Sequence, residues 1–154
     1  MKQENKDLLL QDLCSRLPYG VKVSVNQSQL QNYDSKWKNW GFEEEPQEID
    51  GVSIYGVTFG CMDISDGVIG FEFIKPYLFP FSSMTDEQRK ELYKIGWYLY
   101  EDKIYSCSRN YDEVNYKTHI DCFELMNWCY KNNFDINGLI PMGLAIDASG
   151  LNIY

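Results

Sequence analysis

The chain has 154 residues, a formal net charge of −9, and 44% apolar and 16% aromatic residues. So much to bury excludes a disordered chain, and this length suffices for one domain, residues 1–154, with its own core. No basic patch occurs, which argues against direct nucleic-acid binding and against attraction to an anionic membrane surface. Residues 5–17, NKDLLLQDLCSRL, read as a helix. Asn5 or Asp7 is the expected cap, and Leu9, Leu10, Leu13, Cys14 and Leu17 fall on one face at 3.6-residue spacing. PYG at 18–20 stops it, because proline cannot continue the ladder and glycine supplies a turn.

Val21, Val23 and Val25 alternate with Lys22 and Ser24, the pattern of a half-buried strand. Residues 26–47 hold no clear period and read as a long loop or a strand pair; they place Trp37, Trp40 and Phe42 beside Glu43, Glu44 and Glu45. Two Asp-Gly dipeptides, at 50–51 and 66–67, each precede a β-branched and aromatic run. Asp-Gly suits a tight type I′ turn, so hairpins are expected between 47–49 and 52–60, and between 61–64 and 68–74. With Val21–Val25 this makes a curled antiparallel meander of about four or five strands, which Gly56 and Gly70 help to bend; closure into a barrel stays open.

KPYLFP, residues 75–80, has two prolines that remove backbone donors, so it is expected at an edge or as an extended crossover leaving the last strand. Tyr77, Leu78, Phe79 and Phe81 pin it to the core. Thr85 and Gln88 form a capping box, T-x-x-Q, opening a helix whose buried face is Leu92 and Ile95 and which ends or bends at Gly96. Residues 97–117 are tyrosine-rich and ambiguous. Residues 118–132 are helical, with Thr118 as N-cap and Cys122, Leu125, Met126 and Cys129 as a stripe. Gly138, Pro141, Gly143 and Gly150 break the remainder into turns and extended pieces. The whole reads as α+β: an N-terminal helix, the strands, and two further helices.

The chemistry is sparse. His119 is the one histidine, which excludes two-histidine zinc sites. His119 and Cys122 sit at i, i+3, but a thiol on the apolar stripe is expected to be buried and inert. The phosphate-binding glycine motifs and G-x-S-x-G are missing. No catalytic residue, cofactor or metal is therefore expected. Five cysteines without paired spacing, and no signal-peptide pattern or apolar run of membrane-spanning length, lead to an expected cytoplasmic location with reduced thiols. Glu72 interrupts VIGFEFI and is expected on the solvent face of a strand.

The charge is uneven: residues 34–66 carry two basic and eight acidic groups. Trp37, Trp40, Glu43, Glu44 and Glu45 make the candidate interaction surface. If the tryptophans are exposed they offer a protein-binding platform; if buried they cap one end of the sheet.

Three blocks, KDLLLQDLCSRLPYGVKV at 6–23, KPYLFPFSSMTDEQRKEL at 75–92 and FDINGLIPMGLAIDA at 134–148, cover 51 residues. In that order they resemble a family of short uncharacterised proteins of gut Bacteroides-type bacteria and their phages and mobile elements. The resemblance implies a phage or mobile-element setting and carries over no functional residue. The expected function is a small non-enzymatic protein that binds a host or phage protein. Two alternatives are a small-molecule or nucleotide sponge, or weak enzyme, with an aromatic pocket, and an acidic decoy for a nucleic-acid-binding protein.

Overall fold

The structure, a computed structural model, describes residues 1–39, 42, 45–60, 67–107 and 122–154. Helix α1, Gln3–Arg16, starts earlier than expected, from Lys2, which has no side-chain cap. Neither Asn5 nor Asp7 caps it; the Asp7 carboxylate instead accepts from Gln3 Nε2 at 2.7 Å. Leu9 and Leu13 are fully buried, but Cys14 is exposed. At 3.6 residues per turn Cys14 lies about 140° round from Leu9. The buried face is centred instead on Leu9, Asp12, Leu13 and Arg16.

Asp12 and Arg16 are thus an ion pair without solvent exposure. Arg16 donates to both Asp12 oxygens, at 2.7 and 3.0 Å, and to the Phe134 carbonyl at 2.8 Å. Asn137 Nδ2 donates to Asp12 Oδ1 at 2.8 Å, and the guanidinium carbon stands 5.1 Å from the Tyr130 ring centre. These bonds tie α1 to helix α4, Cys122–Lys131, and to the turn that follows it.

The chain turns at Leu17–Tyr19 and Gly20 (φ +76°) into strand β1, Lys22–Val25. The main sheet orders four strands as β2-β1-β5-β8, where β2 is Gln47–Glu48, β5 Ile74–Leu78 and β8 Ile146–Asp147. β1 pairs antiparallel with β2 and β5, while β5 pairs parallel with β8. The fold is α+β as expected. The main sheet is open, and its strands are brought together from distant parts of the chain rather than as a sequential meander.

KPYLFP is not at an edge. It supplies β5, an inner strand, with Pro76 opposite Val23. Antiparallel pairs alternate between bonded and non-bonded positions. The Asn26 N–H donates to the Phe73 carbonyl at 2.7 Å, which puts Val23–Pro76 at a non-bonded position, so the missing N–H costs the β1 ladder nothing. One step along, the Tyr154 hydroxyl accepts from the Lys22 N–H at 3.2 Å and donates to the Tyr77 carbonyl at 2.9 Å. It bridges two ladder groups that face each other. This hydroxyl sits inside although the residue as a whole is half exposed, and burial pushes its pKa up to about 12.

The first Asp-Gly does not make a turn. Asp50 and Gly51 lead into β3, Gly51–Ser53, which pairs with β4, Gly56–Thr58. The turn falls on Ile54 and Tyr55, where Ser53 Oγ accepts from the Tyr55 N–H at 3.2 Å. Asp50 uses its carboxylate to accept from Thr58 Oγ1 at 2.8 Å. Gly51 is needed for close approach: a Cβ there would stand 2.4 Å from Thr58 Oγ1. Of the second expected hairpin, 61–64 and Asp66 lie outside the described residues. Ile69 bridges Val57, and Phe71–Phe73 form a 3-10 turn rather than a strand.

Beyond the sheet, the Thr85 capping box forms as expected. Thr85 Oγ1 accepts from the Gln88 N–H at 3.2 Å and Gln88 Oε1 from the Thr85 N–H at 2.9 Å. Helix α3, Asp86–Lys94, follows, with Leu92 buried, and the chain turns out at Gly96 (φ +90°). The ambiguous segment resolves in part into a hairpin, β6 Trp97–Tyr100 with β7 Lys103–Ser106. Its turn residues Glu101 and Asp102 both have positive φ, +46° and +59°, the type I′ geometry. Two buried clusters result. One lies under α1 and the main sheet, and the other joins Met84, Leu92, Leu125, Cys129 and Phe134 beneath α3, α4 and the β6–β7 hairpin. Phe134 stacks between Phe81 and Trp128, at 5.6 and 5.4 Å.

Candidate functional site

The segment 26–39 is neither loop nor strand pair. Asn26 caps a short helix α2, Gln27–Tyr33, its Oδ1 accepting from the Gln29 N–H at 3.1 Å, and a 3-10 turn spans Ser35–Asn39. Leu30 and Trp37 point inward and are 1% and 3% exposed, while Tyr33 is 75% exposed. Of the two alternatives for Trp37, the buried one holds. Its ring lies 6.4 Å from Phe42, which lies 5.3 Å from Phe59. Trp40, Glu43 and Glu44 lie outside the described residues. Glu45 is exposed, and its carbonyl accepts from Gln47 Nε2 at 3.0 Å.

Three elements meet beside Trp37 and enclose a cleft of about 150 Å³. The α2 segment brings Leu30, Tyr33 and Trp37; the β3–β4 turn brings Tyr55, itself 75% exposed; residues 68–73 bring Val68, Gly70, Glu72 and Phe73. Leu30, Trp37 and Phe73 are the apolar lining. Tyr33 and Tyr55 are exposed rings on the rim, and Tyr33 leans on Phe73 at 5.3 Å. Sequence reasoning placed Trp37 in this region but missed Tyr33 and Tyr55. The signal for Tyr33 was Asn26, an N-cap residue seven positions upstream.

Glu72 gives the cleft its charge. It is exposed as expected, on a 3-10 turn rather than a strand. Its carboxylate meets Lys6 Nζ at 3.1 Å and folds over Gly70, where an added Cβ would stand 3.0 Å from all three carboxylate atoms. Burial acts to raise its pKa. A hydrogen bond from its own backbone N–H and the Lys6 ammonium outweigh that and hold it below the usual value. Glu72 is therefore a fixed negative charge at neutral pH. A second ammonium lies close by: Lys36 Nζ is 4.6 Å from the Trp37 ring centre and 3.8 Å from an Asp34 oxygen.

His119, Thr118 and Asp121 lie outside the described residues. Cys122 is exposed, not buried, because α4 turns its Leu125–Cys129 face to the core. Burial pushes the Cys129 thiol up to about 12, although Arg16 pulls the other way. Among the described residues no three metal-ligating side chains converge, and no helix is long and apolar enough to cross a membrane. A larger concavity, about 440 Å³, is lined only by Arg89, Lys90, Tyr93 and Lys94. These lie along one exposed flank of α3, so nothing encloses a ligand there. No family model, curated protein or solved structure matches the chain.

Proposed function

We propose that the chain is a small non-enzymatic interaction protein that engages a protein partner through the cleft between α2, the β3–β4 turn and residues 68–73. One observation carries this reading: two exposed tyrosines stand beside an ionised, positioned carboxylate at the mouth of a small cleft. Aromatic side chains that present an apolar body and a polar tip are favoured at interfaces. The size of the cleft supports a protein partner over a nucleotide or other small molecule. Ligand pockets typically span roughly 300–1,000 Å³, and about 150 Å³ is nearer the space for one side chain. The resemblance to Bacteroides-type phage and mobile-element proteins favours a host or phage protein as the partner.

The test compares wild type with a Tyr33→Ser/Tyr55→Ser variant as bait in host lysate, after checking that both melt at the same temperature. A specific partner held by wild type and lost by the variant supports the reading. A partner retained equally by both, or a melting temperature raised by a nucleotide, refutes it.

A further inference from the structure

We infer that the cleft seats an arginine side chain of the partner against Glu72, taking the place that Lys6 occupies in the free protein; this rests on the interaction reading above. Four observations converge. First, Glu72 is the one charged side chain that lines the cleft among the described residues, so a basic group is its complement. Second, the chain already makes both contacts that a cation would need here. Lys6 sits on the Glu72 carboxylate at 3.1 Å, and Lys36 sits over the Trp37 ring at 4.6 Å, with Asp34 beside it to offset its charge. Third, Glu72 is aimed. Its carboxylate folds back over the backbone at Gly70, where an added Cβ would stand 3.0 Å from it and crowd this placement. Fourth, Tyr33 and Tyr55 leave ring faces open at the rim, and a planar guanidinium stacks on such faces while binding a carboxylate through two N–H groups.

Lys6 then has a role in α1 that packing does not explain. Its ion pair is about one-third exposed on each side, and exposed pairs are weak and readily exchanged. A guanidinium that bonds a carboxylate bidentately outcompetes a single ammonium. Lys6 is thus an internal competitor for the Glu72 carboxylate and raises the threshold for a partner.

The experiment titrates the full chain with acetyl-Gly-Arg-Gly-amide and follows the Tyr33, Tyr55 and Glu72 side-chain resonances by NMR. The same peptide with citrulline, which keeps the shape and removes the charge, is the control. Saturable shifts are expected with arginine, and affinity at least about tenfold weaker with citrulline or with Glu72→Gln. Lys6→Ala is expected to bind several-fold more tightly. Equal binding of the citrulline peptide, undiminished binding by Glu72→Gln, or weaker binding by a Lys6→Ala protein of unchanged melting temperature would each overturn the inference. A lysine peptide as tight as the arginine one would overturn the guanidinium assignment. The two readings fail differently. Partner capture lost in Tyr33→Ser/Tyr55→Ser but kept in Glu72→Gln removes the cation alone, whereas capture kept in both removes the interaction reading itself.

Discussion

Replacing Arg16 by Met is predicted to be the most damaging single change away from the apolar core. The side chain has no solvent exposure and makes three hydrogen bonds, two to Asp12 and one to the Phe134 carbonyl. Met fills similar space, so the loss is chiefly electrostatic. Asp12 stays buried with Asn137 as its one remaining side-chain donor among the described residues, at 2.8 Å, and the Phe134 carbonyl loses its Arg16 partner. Breaking one side of a buried pair typically costs about 3–5 kcal/mol, most of it the penalty of the abandoned charge. For a chain of this size each kcal/mol shifts the midpoint by roughly 2–4 °C, so the melting temperature should fall by about 6–20 °C. The double variant Arg16→Met/Asp12→Leu removes the abandoned charge as well and should recover at least about half of that loss. Urea unfolding of wild type, both single variants and the double variant gives the cycle. A loss below about 1 kcal/mol for Arg16→Met, or a double variant no more stable than that single variant, would refute the claim that this pair clamps α1 to the α4 region.

Three further predictions concern the scaffold. Thr85→Ala should cost about 1 kcal/mol by removing the capping box of α3, and an unchanged urea midpoint would rule the cap out. Tyr154→Phe removes the hydroxyl between the Lys22 N–H and the Tyr77 carbonyl and should cost about 1–3 kcal/mol. Because the folded-state pKa of Tyr154 is raised from 10.0 to about 12, its contribution is whole below pH 10 and is lost as pH rises towards 12. The wild-type advantage over Tyr154→Phe should therefore shrink over that window in alkaline melts, and a constant difference would count against it. In native protein at pH 8, Cys14 and Cys122 should react with a thiol reagent while Cys129, buried and raised to about 12, reacts only on unfolding. Peptide mapping that finds Cys129 labelled first would contradict its place in the core.

Signals confined to a few neighbouring residues were readable in the sequence. The Thr85–Gln88 box, the alternation of Val21, Val23 and Val25, and the stops at Gly20 and Gly96 each depend on groups within four positions. What failed depended on partners far along the chain. Asp50-Gly51 looks like a hairpin turn because Asp-Gly suits positive φ. Here Gln47 and Glu48 find their partner in β1, about 25 residues upstream, and the glycine serves a close contact with Thr58. KPYLFP looks like an edge because proline lacks a donor. The register places Pro76 where β1 does not need one, which no local pattern reveals. The polar pair Asp12–Arg16 turned α1 away from its apolar stripe, so Cys14 came out exposed. Helix α2 has a single buried residue, Leu30, and too weak a period to be seen, and its Asn26 cap went unread. The site was legible only at Trp37, and there as an aromatic rather than as a floor. Tyr33, Tyr55 and Glu72 come together through tertiary packing across some 40 positions.

The measurement that bears most directly on the cleft is photocrosslinking from its rim. Benzoylphenylalanine is placed at Tyr55 and, as a control, at Tyr93, which is also exposed, on α3 and outside the cleft lining. Crosslinks from position 55 to an arginine-containing segment of one partner, absent from position 93 and suppressed by Glu72→Gln, are the predicted result. Crosslinks to the same partner from position 93 but not from position 55 would contradict it.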